Sequence, residues 1–347
     1  MTAPLTGQLP VPPAIIRRSP GATGSARPDL RVTALGGGHG LSASLTALRL
    51  VAGHLTAVVT VADDGGSSGT IRREMDVLPP GDLRMALAAL CDDTDWGRTW
   101  AQVMQHRFRA TAVASDESTL ENHALGNLLI VALWELLGDP VDGLRWAGAL
   151  LRAHGEVLPV SRVPLTIGGD VLTTDADGAL RTRRVQGQVA LARAAREGRV
   201  AGLGLIPEDA PATPEALSAI ELADWVVIGP GSLYTSVLPH LLMPDVREAL
   251  TSTPAGRIFV LNLHTGTQET TGMTHADHLR ALRAHAPGLG LDVVVADAEA
   301  VTDRAAVVQE ARRLGARVAF SRVSSAHDPQ VHDPLRLAVA LAEAMEG

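Results

Sequence analysis

The chain has 347 residues, 46% of them hydrophobic and 20% charged, which is enough to build one large α/β domain or two average ones around a sizeable core. The formal net charge is -8, aromatics make up only 3%, and no basic run is interleaved with aromatics, so a general nucleic-acid or membrane-surface role is disfavoured. Apart from histidine, every basic residue is an arginine; without lysine there is no P-loop lysine, no Schiff base and no pyridoxal-type chemistry.

A single cysteine, Cys91, permits no internal disulfide. It sits in the apolar run MALAALCDD and reads as a buried small hydrophobe, in keeping with a reducing compartment. No segment approaches the ~18 consecutive apolar residues of a membrane span. Arg17-Arg18 is followed by Pro-, Gly- and Ser-rich sequence without an apolar export region, so the expected location is the cytoplasm.

In chain order, Met1–Asp29 is rich in Pro, Gly and Ala and is expected to be a disordered extension. Arg31–Leu35 is a short strand that stops at glycines, Leu41–Leu50 has helical spacing, and Thr56–Ala62 is a β-branched run suited to a strand buried on both faces. This is a βαβ unit, which demands a parallel sheet. Leu83–Leu90 and Ala124–Leu137 are helical, with Asp82 placed to cap the first after the Pro79-Pro80-Gly81 turn. The polar stretch Thr111–Glu121 between them is a loop or lid. Val157–Val185, with turn signals at Gly168-Gly169 and Asp177-Gly178, reads as short antiparallel strands in an inserted β-rich subdomain covering about 155–205. The α/β pattern returns with strands at Trp225–Ile228, Arg257–Asn262, Leu291–Ala296 and Arg317–Phe320, a helix at His275–His285 and an amphipathic helix at Leu335–Met345. The expected fold is α/β: residues 30–347 form a single domain with a Rossmann-like parallel sheet, helices on both faces and the small β insertion.

Four loops carry the candidate chemistry. Gly36-Gly37-Gly38-His39-Gly40 lies where the first strand hands over to the first helix. Amides and the positive end of a helix bind anions there without lysine. The dinucleotide fingerprint Gly-x-Gly-x-x-Gly is missed, because Leu41 occupies the sixth position, so a nicotinamide or flavin role is weakened. Asp63-Asp64-Gly65-Gly66-Ser67-Ser68-Gly69 ends the second strand. Asp63 or Asp64 can bond ribose hydroxyls or hold Mg²⁺, Ser67 and Ser68 can contact phosphate oxygens, and Arg72 can neutralise a phosphate by a forked contact. Gly229-Pro230-Gly231-Ser232-Leu233-Tyr234-Thr235 repeats the amide-donor logic, and the stretch from Asn262 to Thr270 follows the next strand. Each loop alone is ordinary turn chemistry; together they line one edge of one sheet. His123 and Asn127 stand at helical spacing and either reach this pocket or satisfy a helix start. His327 and His332 lack tight metal-ligand spacing, and no Gly-x-Ser-x-Gly elbow is present, so neither structural zinc nor triad hydrolysis is expected. His264, His275 and His278 read as surface or core histidines.

The blocks LGGGHGLSASL, TVADDGGSSGTIRREMDVLPPGDLRMALAAL, HALGNLLIVAL, IGPGSLYTSVLPHLLMP and the closing HDP resemble the bacterial gluconeogenesis-factor family, within the superfamily of 2-phospho-L-lactate transferases of coenzyme F420 synthesis. The resemblance runs from about Val32 to about Leu341. It implies a Rossmann-like fold, a UDP-N-acetylglucosamine-like nucleotide-sugar ligand, and a role in cell shape and envelope synthesis during gluconeogenic growth. The chain departs from the family at His39, usually Thr, and in NLHTGTQET, where the family has something like NIMTQPGET.

A nucleotide sugar is therefore expected across the sheet edge: diphosphate on the amides of Gly37–Gly40 and Gly231–Ser232 near Arg72, base and ribose at Asp63 or Asp64, and sugar toward Asn127, Tyr234 and Thr265. The site set is completed by Gly36, Ser67, Ser68 and Gly229. No cofactor is required, although Mg²⁺ fits Asp63 or Asp64. The alternative is a transferase using a guanylylated phospholactate donor and Mg²⁺, with His39, His123 or Glu269 as base. Further candidate partners are a second copy of the chain and envelope-synthesis proteins; neither nucleic acid nor membrane insertion is expected.

Overall fold

The β-branched runs become strands, and the segments between them become helices. The computed structural model describes residues 27–109, 120–174, 177, 179–265, 270 and 272–346. Residues 1–26, most of the expected lid and Glu269 lie outside the described residues. The first half holds β1 (Arg27–Gly36), α1 (Gly38–Leu48), β2 (Ala52–Val59), α2 (Gly66–Met75), α3 (Gly81–Ala89), α4 (Asp95–Gln105), α5 (Leu125–Leu137), α6 (Pro140–Leu151) and β3 (Glu156–Pro159). A small unit follows with β4 (Thr166–Thr174), β5 (Leu180–Gln186), α7 (Gln188–Ala194) and β6 (Arg199–Ile206). The second half holds α8 (Pro214–Glu221), β7 (Trp225–Ile228), a π turn at Leu233–Val237, α9 (Leu238–Leu242), α10 (Pro244–Ser252), β8 (Gly256–Val260), α11 (His275–His285), β9 (Val293–Asp297), α12 (Arg304–Arg313), β10 (Arg317–Ser321) and α13 (Pro334–Glu346).

Seven strands form one sheet in the order β10-β9-β8-β7-β1-β2-β3, and every neighbouring pair is parallel. The first three strands step outward from β1 in one direction, and β7 to β10 step outward in the other. The winding therefore reverses between β1 and β7. At such a reversal the two strand ends open a crevice, which is where ligands of open α/β sheets bind. Leu41, Leu45 and Leu48 of α1 are buried against the sheet, beside Ala34, Leu35, Ala57 and Val58. Each leucine contributes roughly 2 kcal/mol by leaving water.

Several boundaries differ from expectation, and two of the differences change which unit a segment belongs to. Arg27–Asp29, placed by composition in the extension, belong to β1, where Arg27 N–H donates to the Val51 carbonyl at 2.9 Å. Val157–Pro159, placed in the insertion, belong to β3 and pair with β2. Pro159 is tolerated because β3 is the edge of the sheet, where a missing donor costs no ladder bond. The small sheet has the order β5-β4-β6 and is antiparallel throughout.

Among the described residues, no helix is long and apolar enough to cross a membrane. The closing HDP is a helix start: Asp333 Oδ1 accepts the N–H groups of Leu335 and Arg336, and Pro334 takes the first position of α13.

Candidate site at the switch point

The two glycine loops meet at the reversal. Gly36 ends β1, Gly37 is extended, and Gly38 takes φ +57° to start α1. A Cβ on Gly40 would overlap the carbonyl of Pro230, so only glycine lets α1 approach the loop after β7 this closely. Ser44 of α1 donates to the Gly229 carbonyl at 2.8 Å. Gly231 is pinned from the other side: its N–H donates to Asn262 Oδ1, and Asn262 Nδ2 donates to its carbonyl, both at 2.8 Å. His39 is exposed at the rim.

Asp82 is the central departure from the sequence reading. It does not cap α3; the N-cap position falls on Pro80, which makes no side-chain cap bond. One residue past the start, the Asp82 carboxylate fills the space beside Gly37, where any Cβ would overlap it. Asp82 is half-buried at the winding reversal. Burial, and then the charge of Asp63, push its pKa up to about 7. Asp63 is itself raised, chiefly by burial, against the opposing bond from Gly65 N–H at 2.9 Å and a bond from the Ser68 hydroxyl. Ser68 Oγ also accepts the Gly81 N–H at 3.1 Å, tying α2 to α3.

Other expected site residues are committed elsewhere. Arg72 donates to the Leu165 carbonyl at 2.7 Å and to Thr166 Oγ1 at 3.0 Å, at the entrance to β4. Its guanidinium is spent joining α2 to the small sheet rather than presented as a fork to a phosphate. Asp64 accepts the Val189 N–H at 3.1 Å. The N-cap of α7 is Gly187, which has no side chain, so Asp64 supplies the missing cap. The Gly231 amide, expected to hold a diphosphate, has its partner in Asn262.

Asn127 is buried and donates to Ser67 Oγ at 3.1 Å. Arg84, also buried, donates to Asn127 Oδ1 at 2.9 Å and to Gln105 Oε1. Sequence reasoning passed over Arg84, although an arginine inside the apolar helix GDLRMALAAL signals a buried, paired cation. Tyr234 is buried with its hydroxyl 3.5 Å from Met273 Sδ. Ser232 is half-buried at the start of the π turn.

Thr265 lies apart from Asp82. With His264, Met273, Thr274, His275 and Asp303 it lines a cavity of about 280 Å³ at the carboxyl ends of β8 and β9. His275 Nε2 donates to the Asn262 carbonyl at 3.0 Å, so this cavity wall and the Gly231 clamp share one residue. Among the described residues, no group of three or more His, Cys, Asp or Glu is placed to hold a metal ion by itself.

Comparison with known proteins follows the same lines. Residues 32–332 match the family model described as 2-phospho-L-lactate transferase CofD. A Mycobacterium tuberculosis protein provisionally named a gluconeogenesis factor is 46% identical over 313 residues, covering 89% of each chain. The gluconeogenesis factor of Bacillus subtilis is 35% identical over 273 residues, covering 79% of this chain and 80% of its own. A crystal structure of a UPF0052 family member from Bacillus halodurans superposes with a TM-score of 0.76 at 33% identity, covering 92% of this chain and 99% of that one.

Proposed function

Since this chain belongs to the 2-phospho-L-lactate transferase CofD family, alongside the gluconeogenesis factors, we propose that it binds a nucleotide sugar of the UDP-N-acetylglucosamine kind at the β1/β7 crevice. One observation carries this assignment: Asp82 lies against the Gly37–Gly38 turn at the winding reversal, and Asp63, which lies against Gly65 and Gly81, is near enough for its charge to raise the Asp82 pKa. Two hard carboxylate oxygens suit Mg²⁺, which binds through one or two carboxylates and completes its shell with ligand phosphates and water. Asp63 and Asp82 would hold that ion, and it would neutralise the diphosphate against the two carboxylates. Asp64 is set aside because it caps α7. The cavity beside Thr265 and His275 is large enough for one end of the ligand.

The expected biological role is that of a cytoplasmic regulator of cell shape and envelope synthesis in gluconeogenic growth, acting through protein partners or as a homo-oligomer. The names of the relatives support the gluconeogenic part.

Calorimetry with UDP-N-acetylglucosamine, UDP and GDP, with and without Mg²⁺, tests the binding role. A ligand at 100 times its Kd should stabilise the fold by roughly 2.7 kcal/mol. If none of these nucleotides binds, the assignment is wrong.

A second role is favoured by the Asp82 carboxyl, whose pKa of about 7 suits proton transfer at neutral pH. Asp82 would take the proton of an acceptor hydroxyl as phospholactate leaves a guanylylated donor, with GMP released. Product formation from that donor and a deazaflavin alcohol would establish the transferase.

A further inference from the structure

Hydrogen-bond accounting beside the cleft fixes more than the positions of the atoms. Arg84 has only donors, so the bond from its Nε at 2.9 Å must meet the oxygen of the Asn127 amide. The Asn127 nitrogen therefore faces Ser67 and donates to Oγ at 3.1 Å. Ser67 Oγ also receives the Ala124 N–H at 3.4 Å. With both acceptor positions of the hydroxyl filled, its proton must go outward. The remaining partner is His123 Nδ1, at 3.1 Å. A ring nitrogen that accepts a proton carries none, so the neutral ring bears its hydrogen on Nε2.

Arg84, Asn127 and Ser67 are all buried, so the direction of this chain is set inside the protein. His123 is half-exposed, and its Nε2 has no hydrogen-bond partner among the described residues. Ser67 stands in the first turn of α2, next to Ser68, whose hydroxyl bonds Asp63. Arg84 senses the charges of Asp82 and Asp63. The relay thus runs beside these two carboxylates.

We infer that His123 is held as its Nε2–H tautomer and presents a fixed N–H donor to an anionic oxygen of the ligand, with Ser67, Asn127 and Arg84 as positioning residues. The donor role presumes the nucleotide-binding function proposed above; the tautomer does not. A donor whose orientation is set before binding loses little entropy when the ligand arrives.

The test uses the full chain labelled with ¹⁵N-histidine and long-range ¹H–¹⁵N correlation spectra, followed by calorimetry with UDP-N-acetylglucosamine and MgCl₂. His123 should show a protonated Nε2 and a bare Nδ1, and Ser67→Ala should abolish that preference. His123→Leu, which has no donor, should bind the nucleotide sugar about tenfold more weakly while remaining folded. A protonated Nδ1, or an even tautomer mixture, in the wild type overturns the inference whatever the protein binds. The expected tautomer with wild-type affinity in His123→Leu overturns the donor role. If the wild type binds no nucleotide, the proposed function falls and takes the donor role with it, while the spectra still decide the tautomer.

Discussion

The carboxylate of Asp82 lies against Gly37, in the space any Cβ there would fill, so an acidic side chain occupies the glycine turn that looked ready for a phosphate. The relationship places a group that titrates near neutrality at the switch point of the sheet. It also sets stability against function at a single residue.

Asp82→Asn should stabilise the metal-free protein at alkaline pH. The folded pKa, about 7, lies above the ordinary 3.8, so the folded state holds the proton more tightly than the unfolded chain does. Stability from this group is full below 3.8 and is lost as pH rises through 7. Removing the charge should recover on the order of 2–4 kcal/mol at pH 8 and little at pH 4. Urea unfolding at both pH values measures it; equal effects at both would contradict the burial of a charge. The same variant should lose Mg²⁺-dependent nucleotide binding.

Three buried histidines act in the opposite direction. His240, His278 and His332 have pKa values depressed to about 4 from the ordinary 6.5, with burial the main cause. Their contribution is full above 6.5 and falls away as pH drops through 4. Each represents up to about 3 kcal/mol, so the melting temperature should fall steeply between pH 6.5 and 4. His278, whose Nε2 is buried without a hydrogen-bond partner among the described residues, can be followed by its ring resonances; titration near 6.5 would count against this account.

Gly40→Ala should force α1 away from the loop after β7. The added methyl overlaps a backbone carbonyl, which cannot rotate aside as a side chain could. A cost of about 1–3 kcal/mol is expected, together with faster amide exchange at Gly231 and Ser232. Wild-type stability and exchange would show that the two loops do not need this contact.

Arg72→Met should loosen the small sheet without touching the ligand. Two short bonds to Leu165 and Thr166 are lost, so a destabilisation of about 2–3 kcal/mol is expected. Nucleotide affinity should stay within about twofold, since a group spent on the scaffold contributes no phosphate contact. A large loss of affinity with unchanged stability would return Arg72 to the ligand.

Much of the architecture was legible in the residues. Thr56–Ala62 announced a strand buried on both faces, which the structure places at Ala52–Val59, and the glycines on either side of His39 announced a turn that needs close backbone approach. The span His275–His285 was found as drawn, because its polar ends and apolar stripe leave one helical face to bury. Asp82 was misread as a cap because the glycine turn it lies against belongs to a different element. The bonds of Arg72 were hidden for the same reason: its acceptors lie 93 and 94 residues further along the chain.

By itself, the sequence determined the alternation of strands and helices, the gathering of four polar glycine-containing loops at strand ends, and the exclusion of lysine chemistry. Periodicity, backbone freedom and residue type are local properties, so they can be read in order. Only the tertiary structure decided which donors and acceptors remain available for a ligand. An amide or a guanidinium looks free along the chain, and folding gives Gly231 to Asn262 and Arg72 to the small sheet and sets Asp82 against Gly37. Burial of Asp82, with the charge of Asp63 near it, then shifted its acidity, a property that no stretch of sequence carries.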